Sequence, residues 1–256
     1  MSPKKAERIL DYQGAYLADY GFEGVMVAAR QRMIIEVLSS KRPEVVVEIG
    51  CGTDPLSRRV ADAGISVKRW IVVEPAPEFA KSARATARAD MPLTVVDGFL
   101  EDVVDDVRAQ IGLAPPFVVC ASLLHEVPDA QNLLAGLRRL VDGGGLVHLN
   151  VPNARSLHRR LARAMGLIRS EHQLSDRNRA LQQPRVFDSV SLASEIVAAG
   201  FDIEDSGGYF LKPFTHRQME SIVPIVGGEV LSGLWDMGRE LPELASEIFV
   251  HARPSP

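Results

Sequence analysis

Hydrophobic positions along the chain change period several times. Five short, predominantly apolar runs lie at residues 45–49, 70–73, 93–96, 117–121 and 146–151. Strands covered by helices on both faces lose the alternation of half-exposed strands, so such runs predict a parallel sheet. Helical patterns separate and precede them. Residues 25–38 repeat at helical spacing ahead of Lys41, Arg42 and Pro43, and Leu133, Leu134, Leu137, Leu140 and Val141 form one stripe of a helix over 130–141 that stops at Gly143. Further upstream, Tyr12, Tyr16 and Tyr20 lie four apart and share a helix face. Past Pro152 the pattern predicts a helix over 154–168, a polar, mobile loop over 171–185, and a helix over 189–199 capped by Ser189 and ended by Gly200. Strands at 201–203 and 247–252 then make a closing pair at one sheet edge.

The alternation of strands and helices predicts a wound α/β sheet, with residues 1–40 as an N-terminal helical cap and 41–256 as the main domain. Within it, a basic helix and loop over 153–187 and an insertion over 206–242 are expected to cover the active face. Composition agrees with a folded core, at 46% hydrophobic and 24% charged residues. No apolar run is long enough for a membrane span, and the charged start of the chain does not read as a secretory leader, so a cytoplasmic location is expected. Two cysteines, Cys51 and Cys120, supply neither a disulfide framework nor a metal site, and no metal is expected. The net charge of −4 hides an uneven distribution: eight arginines against Glu171 and Asp176 give residues 153–185 a charge of +6. Overall acidity and the lack of aromatics among those arginines argue against nucleic acid and for a small anionic partner.

The densest signal is Val47-Glu48-Ile49-Gly50-Cys51-Gly52-Thr53-Asp54-Pro55, where the first strand turns into a helix. Glycines there let a ligand approach the backbone closely. A dinucleotide fingerprint needs a third glycine where Pro55 stands, and the GK[ST] ending of a phosphate-binding loop is absent. A nucleoside ligand without phosphates remains. Glu48-Ile49-Gly50-Cys51-Gly52 resembles the first signature of class I S-adenosylmethionine-dependent methyltransferases, and the later landmarks fall in order. The resemblance implies a Rossmann-like, seven-stranded, mostly parallel sheet with helices on both faces, N-terminal helices and a late lid insertion. It implies S-adenosylmethionine as cofactor, with Glu48, Gly50 and Gly52 at the turn, Glu74 on the ribose hydroxyls, Asp97 on the adenine amino group, and Gly98 and Phe99 beside the ring. Cys120-Ala121-Ser122-Leu123-Leu124-His125-Glu126 resembles the fourth signature, with Ala121 next to the methyl group. Asp54, where the family often has a third glycine, reads as an N-cap with Pro55 in the first helical position.

An activated methyl group needs an aligned nucleophile and, for a hydroxyl, a base. His125 is the candidate, with Glu126 beside it to orient or charge it. It is no zinc-protease histidine, because Asp129 stands where the second histidine of HExxH belongs. Ser122 and Cys120 lack the setting of a nucleophile. Arg155 and Arg159, in the basic segment, are candidate contacts for an anionic acceptor, with Arg159, Arg160 and Arg163 on the exposed side of their helix opposite Leu157, Leu161 and Met165. Tyr209, Phe214 and His216 are candidate walls of the acceptor site, and the tyrosine stripe is a second. The expected activity is methyl transfer to a small anionic metabolite, oxygen favoured over nitrogen, by a chain that can form a homodimer. N-methylation, a non-catalytic cofactor-binding or scaffold role, and a dinucleotide oxidoreductase are the alternatives.

Overall fold

One sheet contains β1 (Val45–Ile49), β2 (Arg69–Glu74), β3 (Leu93–Asp97), β4 (Phe117–Ala121), β5 (Leu146–Pro152), β6 (Phe201–Tyr209) and β7 (Glu247–Pro254), in the order β3-β2-β1-β4-β5-β7-β6. The computed structural model describes Gly14 and residues 21–256; the Tyr12, Tyr16 and Tyr20 stripe lies outside them. β1 to β5 pair in parallel, and β7 runs antiparallel to both of its neighbours. The expected sheet, seven-stranded and mostly parallel with a closing pair at one edge, is the one found, and that pair is antiparallel.

Helices cover both faces. Val45, Val47 and Ile49 of β1 point to the side where α4 (Leu100–Ile111), α5 (Ala130–Leu140) and α8 (Ser189–Ala198) bury their apolar stripes. On the other side Val46, Trp70, Val72 and Val119 meet α1 (Glu23–Lys41), α2 (Leu56–Asp62) and α3 (Pro77–Arg84). The 1–40 segment, over its described part, is therefore one of the helices packed on the sheet: Ile34 and Leu38 of α1 are wholly buried against it. None of the described helices is long and apolar enough to cross a membrane.

Several expected boundaries shift, each for a physical reason. β6 extends to Tyr209, well past residue 203, because it pairs with β7 along its length, with an irregularity between Ile203 and Asp205. Gly207 and Gly208 sit within that strand. A Cβ on Gly207 would lie 2.9 Å from the Phe249 ring and one on Gly208 2.7 Å from the Ala245 Cβ, so close packing demands both glycines. The insertion accordingly begins after Tyr209 and consists mainly of one helix, α9 (His216–Glu240), bent at Gly227 and capped by Thr215. Asp188, not Ser189, caps α8, in a capping box with Ser191. The polar stretch after residue 171 contains α7 (Asp176–Ala180), with a capping box between Ser175 and Asn178.

The basic helix α6 (Leu157–Ala164) buries no residue fully. Its sides are only partly those expected: Arg163 is exposed and Leu157 half-buried, but Leu161 and Met165 are exposed and Arg159 turns inward, donating from Nε to the Glu171 carbonyl at 2.7 Å. Two backbone carbonyls of the following loop, those of Glu171 and Gln173, hold the Arg159 guanidinium inward.

α9 docks on α1 and on the end of β6 through Met219, Trp235, Tyr209 and Phe210. Trp235 donates from Nε1 to the Ala29 carbonyl at 3.3 Å. At Gly238 the helix meets backbone directly: an added Cβ would fall 2.1 Å from the Phe210 nitrogen, while one at Gly233 meets nothing within 4 Å. Gly238→Ala should destabilise the chain by about 3 kcal/mol, lowering Tm by roughly 5–10 °C, and Gly233→Ala should leave Tm unchanged or raise it. Equal thermal shifts for the two variants would contradict this packing.

Candidate active site

A cavity of about 490 Å³ opens above the C-terminal ends of β1, β2 and β4, on the face covered by α1. In a wound sheet this is where ligands bind, because successive loops diverge there. The turn after β1 forms its floor. Gly50 and Gly52 both have positive φ, 73° and 58°, which only glycine adopts without strain, and a Cβ at Gly52 would project into open space.

Two buried carboxylates hold this turn. Glu48 accepts from the Leu56 amide at 2.9 Å and from Trp70 Nε1 at 3.0 Å. Glu48 thus satisfies the amide that opens α2, the role that Asp54 was expected to fill. Asp54 instead pairs with Arg58 and Arg59 at the surface, and helical residues begin at Leu56, one after Pro55. Burial pushes the Glu48 carboxyl up to about 7 despite both donors. Glu74 accepts from the Cys51 amide at 3.0 Å and from the Ala76 amide at 2.9 Å. Burial raises its carboxyl as well, with those amides opposing the shift. Its Oε2 also receives the Cys51 thiol at 3.6 Å, whereas Oε1 has the Ala76 amide alone and keeps a lone pair for one more donor.

Glu48, Gly50, Gly52, Glu74, Gly98, Phe99 and Ala121 all line the cavity. Asp97 does not. Its position is in register with Glu74 across the β2–β3 pair, yet its side chain is 62% exposed and paired with Arg84. The exposed end of β3 lets a surface arginine outcompete the cavity for that carboxylate.

His125 lines the cavity and is 2% exposed. Its Nδ1 has no hydrogen-bond partner among the described residues. Glu126 does not orient it: the nearest carboxylate oxygen is 3.7 Å from Nε2 and accepts instead from Gln183 Nε2 at 3.0 Å. Burial, with Arg30 adding, pushes the imidazole down to about 3. Next to it, Ser122 has φ 54° at the end of β4, a strained conformation fixed by its amide donating to the Asn150 carbonyl at 3.0 Å.

Of the expected acceptor contacts, Arg159 and His216 line the cavity, whereas Arg155, Tyr209 and Phe214 do not. Arg155 and Phe214 are exposed. Tyr209 is fully buried and donates from its hydroxyl to Glu247 Oε2 at 2.6 Å, so its contribution passes through Glu247, which does line the cavity. Residues not singled out from sequence complete the wall. Arg30 donates to Glu247 from Nε at 3.1 Å and to Glu23 from Nη2 at 3.3 Å. Glu23 also meets Arg177 Nη2 and His216 Nε2, each at 3.3 Å. Burial opposes ionisation of Glu23, but His216, Arg30 and Arg177 together outweigh it and hold the carboxyl at about 2. His158 and Lys212 also face this end of the cavity. Arg30 was legible in principle, since it is four residues from both Met26 and Ile34 on the inner stripe of α1; nothing local pairs it with Glu247.

The methyltransferase-domain family profile matches residues 24–206, most of the chain and the whole of the turn, β1 to β5 and the His125 loop. The chain belongs to the class I S-adenosylmethionine-dependent methyltransferases. No curated protein matches it. Among solved structures, it is similar to a Thermotoga maritima S-adenosylmethionine-dependent methyltransferase described as a possible histamine N-methyltransferase, at 16% identity over 96% of this chain and 99% of that one, TM-score 0.56. A methyltransferase of Haloferax volcanii, in complex with its Trm112 activator, aligns over 96% and 98% at 13% identity, TM-score 0.57. The plantazolicin methyltransferase BamL, complexed with a substrate analogue and S-adenosylhomocysteine, aligns over 99% and 92% at 10% identity, TM-score 0.52. These similarities concern the fold of the methyltransferase.

The cavity of this methyltransferase fits the family's cofactor on its own geometry. A glycine cradle open at Gly52, a buried carboxylate at Glu74 and the Phe99 ring surround one space. His125 and the buried His148 have folded values near 3, below the ordinary 6.5. The stability linked to them is therefore complete above pH 6.5 and is lost as the pH falls toward 3. Imidazole NMR should find His125 neutral down to about pH 5; a His125 midpoint between about pH 6 and 7 would contradict its burial.

Proposed function

We propose that the enzyme transfers a methyl group from S-adenosylmethionine to an oxygen of a small anionic metabolite, with His125 as general base. The observation that carries this reading is the shared cavity itself. Glu74 and the glycine turn line one part of it, and a neutral imidazole whose Nδ1 has no partner among the described residues lines another, together with inward-facing cations.

Glu48, Gly50, Gly52, Glu74, Gly98, Phe99 and Ala121 would hold the cofactor, whose sulfonium supplies an electrophilic methyl group. Glu48 keeps the turn in its open shape, and Glu74 offers a lone pair of Oε1 to a ribose hydroxyl. Asp97 would reach the adenine amino group only by exchanging Arg84 for it. The chain's remaining work is to seat the acceptor and to receive its proton. His125 is buried and neutral, and its Nδ1, without a hydrogen-bond partner among the described residues and without exposed surface, would accept a hydrogen bond from an acceptor hydroxyl once the ring turns toward the cavity. A weak base suffices, because an oxygen that is gaining a methyl group becomes strongly acidic before the transfer is complete. Arg159 and Arg177 bring positive charge to the wall, which favours an acidic acceptor over a neutral one. For an amine acceptor the same imidazole would be dispensable, because an unprotonated amine already has its lone pair free.

Calorimetry with the full chain tests this reading. S-adenosylmethionine and S-adenosylhomocysteine should bind and NAD should not, and Glu74→Ala should weaken the nucleoside by about 1–3 kcal/mol. His125→Ala should leave that affinity alone and cut turnover about 10²-fold, measured as S-adenosylhomocysteine release over a panel of small hydroxy and amino acids. An unchanged rate with a hydroxyl acceptor would exclude His125 as the base, and activity confined to amines would exclude O-methylation.

A further inference from the structure

Lys212 follows β6 directly after the apolar run Tyr209-Phe210-Leu211, and it lines the cavity while remaining only 4% exposed. Its Nζ has one hydrogen-bond partner among the described residues, Nδ1 of His216 at 2.9 Å. Glu23 is ionised and therefore only accepts, so His216 Nε2, 3.3 Å away, must donate to it. That assigns the tautomer: Nδ1 of His216 is an acceptor, and the lysine donates to it. One of three ammonium N–H groups is then used and two remain. The other cations near the cavity are already engaged. Arg30 is bound to Glu247 and Glu23, Arg159 to the Glu171 and Gln173 carbonyls, and Arg177 to Glu23.

A buried ammonium with a neutral imidazole as its one partner is an incomplete arrangement, since buried charges are normally paired with an opposite charge. We propose that Lys212, held in place by the His216–Glu23 chain, is the seat for a carboxylate or phosphate of the acceptor on the β6 side of the cavity. This deepens the small-anion reading above and rests on it. It also moves the anion contact away from Arg155 and the outer arginines to one residue that was not singled out from the sequence.

A pH dependence accompanies the assignment. Burial pushes Lys212 down to about 7; Arg177 of α7 and Arg159 of α6 act in the same direction, while Glu23 of α1 and Glu247 of β7 oppose. His158 and His216 also face it and are themselves held neutral by burial. An oxyanion in contact with Nζ favours the charged amine. Binding should therefore take up a proton near neutrality, and affinity should fall as the pH rises through about 7.

The experiment is a pH titration of the full chain carrying 13Cε-labelled lysine, followed by NMR. Only six lysines are present, and Lys212→Arg identifies the Lys212 signal by its loss. Titrations are run at matched ionic strength in chloride, acetate and sulfate, with acetamide as the neutral control, each with and without S-adenosylhomocysteine. Acetate or sulfate should raise the Lys212 midpoint by about one pH unit while the other five lysines and the acetamide sample stay put. The larger response distinguishes a carboxylate seat from a phosphate-like one. A Lys212 midpoint that neither anion moves overturns the proposal. Failure of S-adenosylhomocysteine to bind, read separately by calorimetry, would instead count against the methyltransferase reading of the cavity, and the anion titration stands without it.

Discussion

The turn after β1 must keep its cavity side open while its other side packs on the sheet, and two buried carboxylates satisfy that constraint. Glu48 ties the start of α2 and the Trp70 indole to the sheet, and Glu74 ties the amides of Cys51 and Ala76 across to β2. Side-chain oxygens thus satisfy amides that the positive φ values of Gly50 and Gly52 leave outside any regular ladder. The cavity exists because this turn does not collapse into it. The remaining elements are arranged around that opening: the α1 helix roofs it, the strained Ser122 turn borders it, and the α6–α7 segment closes its outer side.

A second buried network defines the acceptor side. Glu247 collects Arg30, Asn150 and Tyr209, so one carboxylate joins α1, β5, β6 and β7. Removing one partner from such a group leaves an uncompensated charge, a loss of about 3–5 kcal/mol in comparable buried pairs. Glu23 continues the network toward His216 and Arg177. Alternating charge along the wall keeps the free protein balanced, and Lys212 is the point where that balance is incomplete.

Much of this was readable along the chain because it depends on local pattern. β1 to β5 are short apolar runs, and parallel strands buried on both faces produce that pattern directly. The glycine turn, Glu74 and the His125 loop fall at the ends of those strands, so their convergence followed from the topology. β6 was shortened because Gly207 and Gly208 look like a loop until the Phe249 ring and Ala245 are seen pressing on them. On α6, Arg159 and Leu161 were placed on the wrong sides because amphipathic spacing identifies two sides without saying which one faces the interior. Asp97 was assigned to the ligand by its position, which the β2–β3 register bears out, while the direction of its side chain depends on Arg84, thirteen residues before it. Arg30 and Glu247 are 217 residues apart, and no local signal pairs them.

A crystal structure of the full chain with S-adenosylhomocysteine tests the central claim most directly. The account predicts a nucleoside seated over Gly50 and Gly52, with a ribose hydroxyl donating to Glu74 Oε1 and its sulfur toward the His125 side. A nucleoside bound elsewhere on the sheet, or a Glu74 carboxylate contacting only the Cys51 and Ala76 amides while the ligand is present, would contradict it.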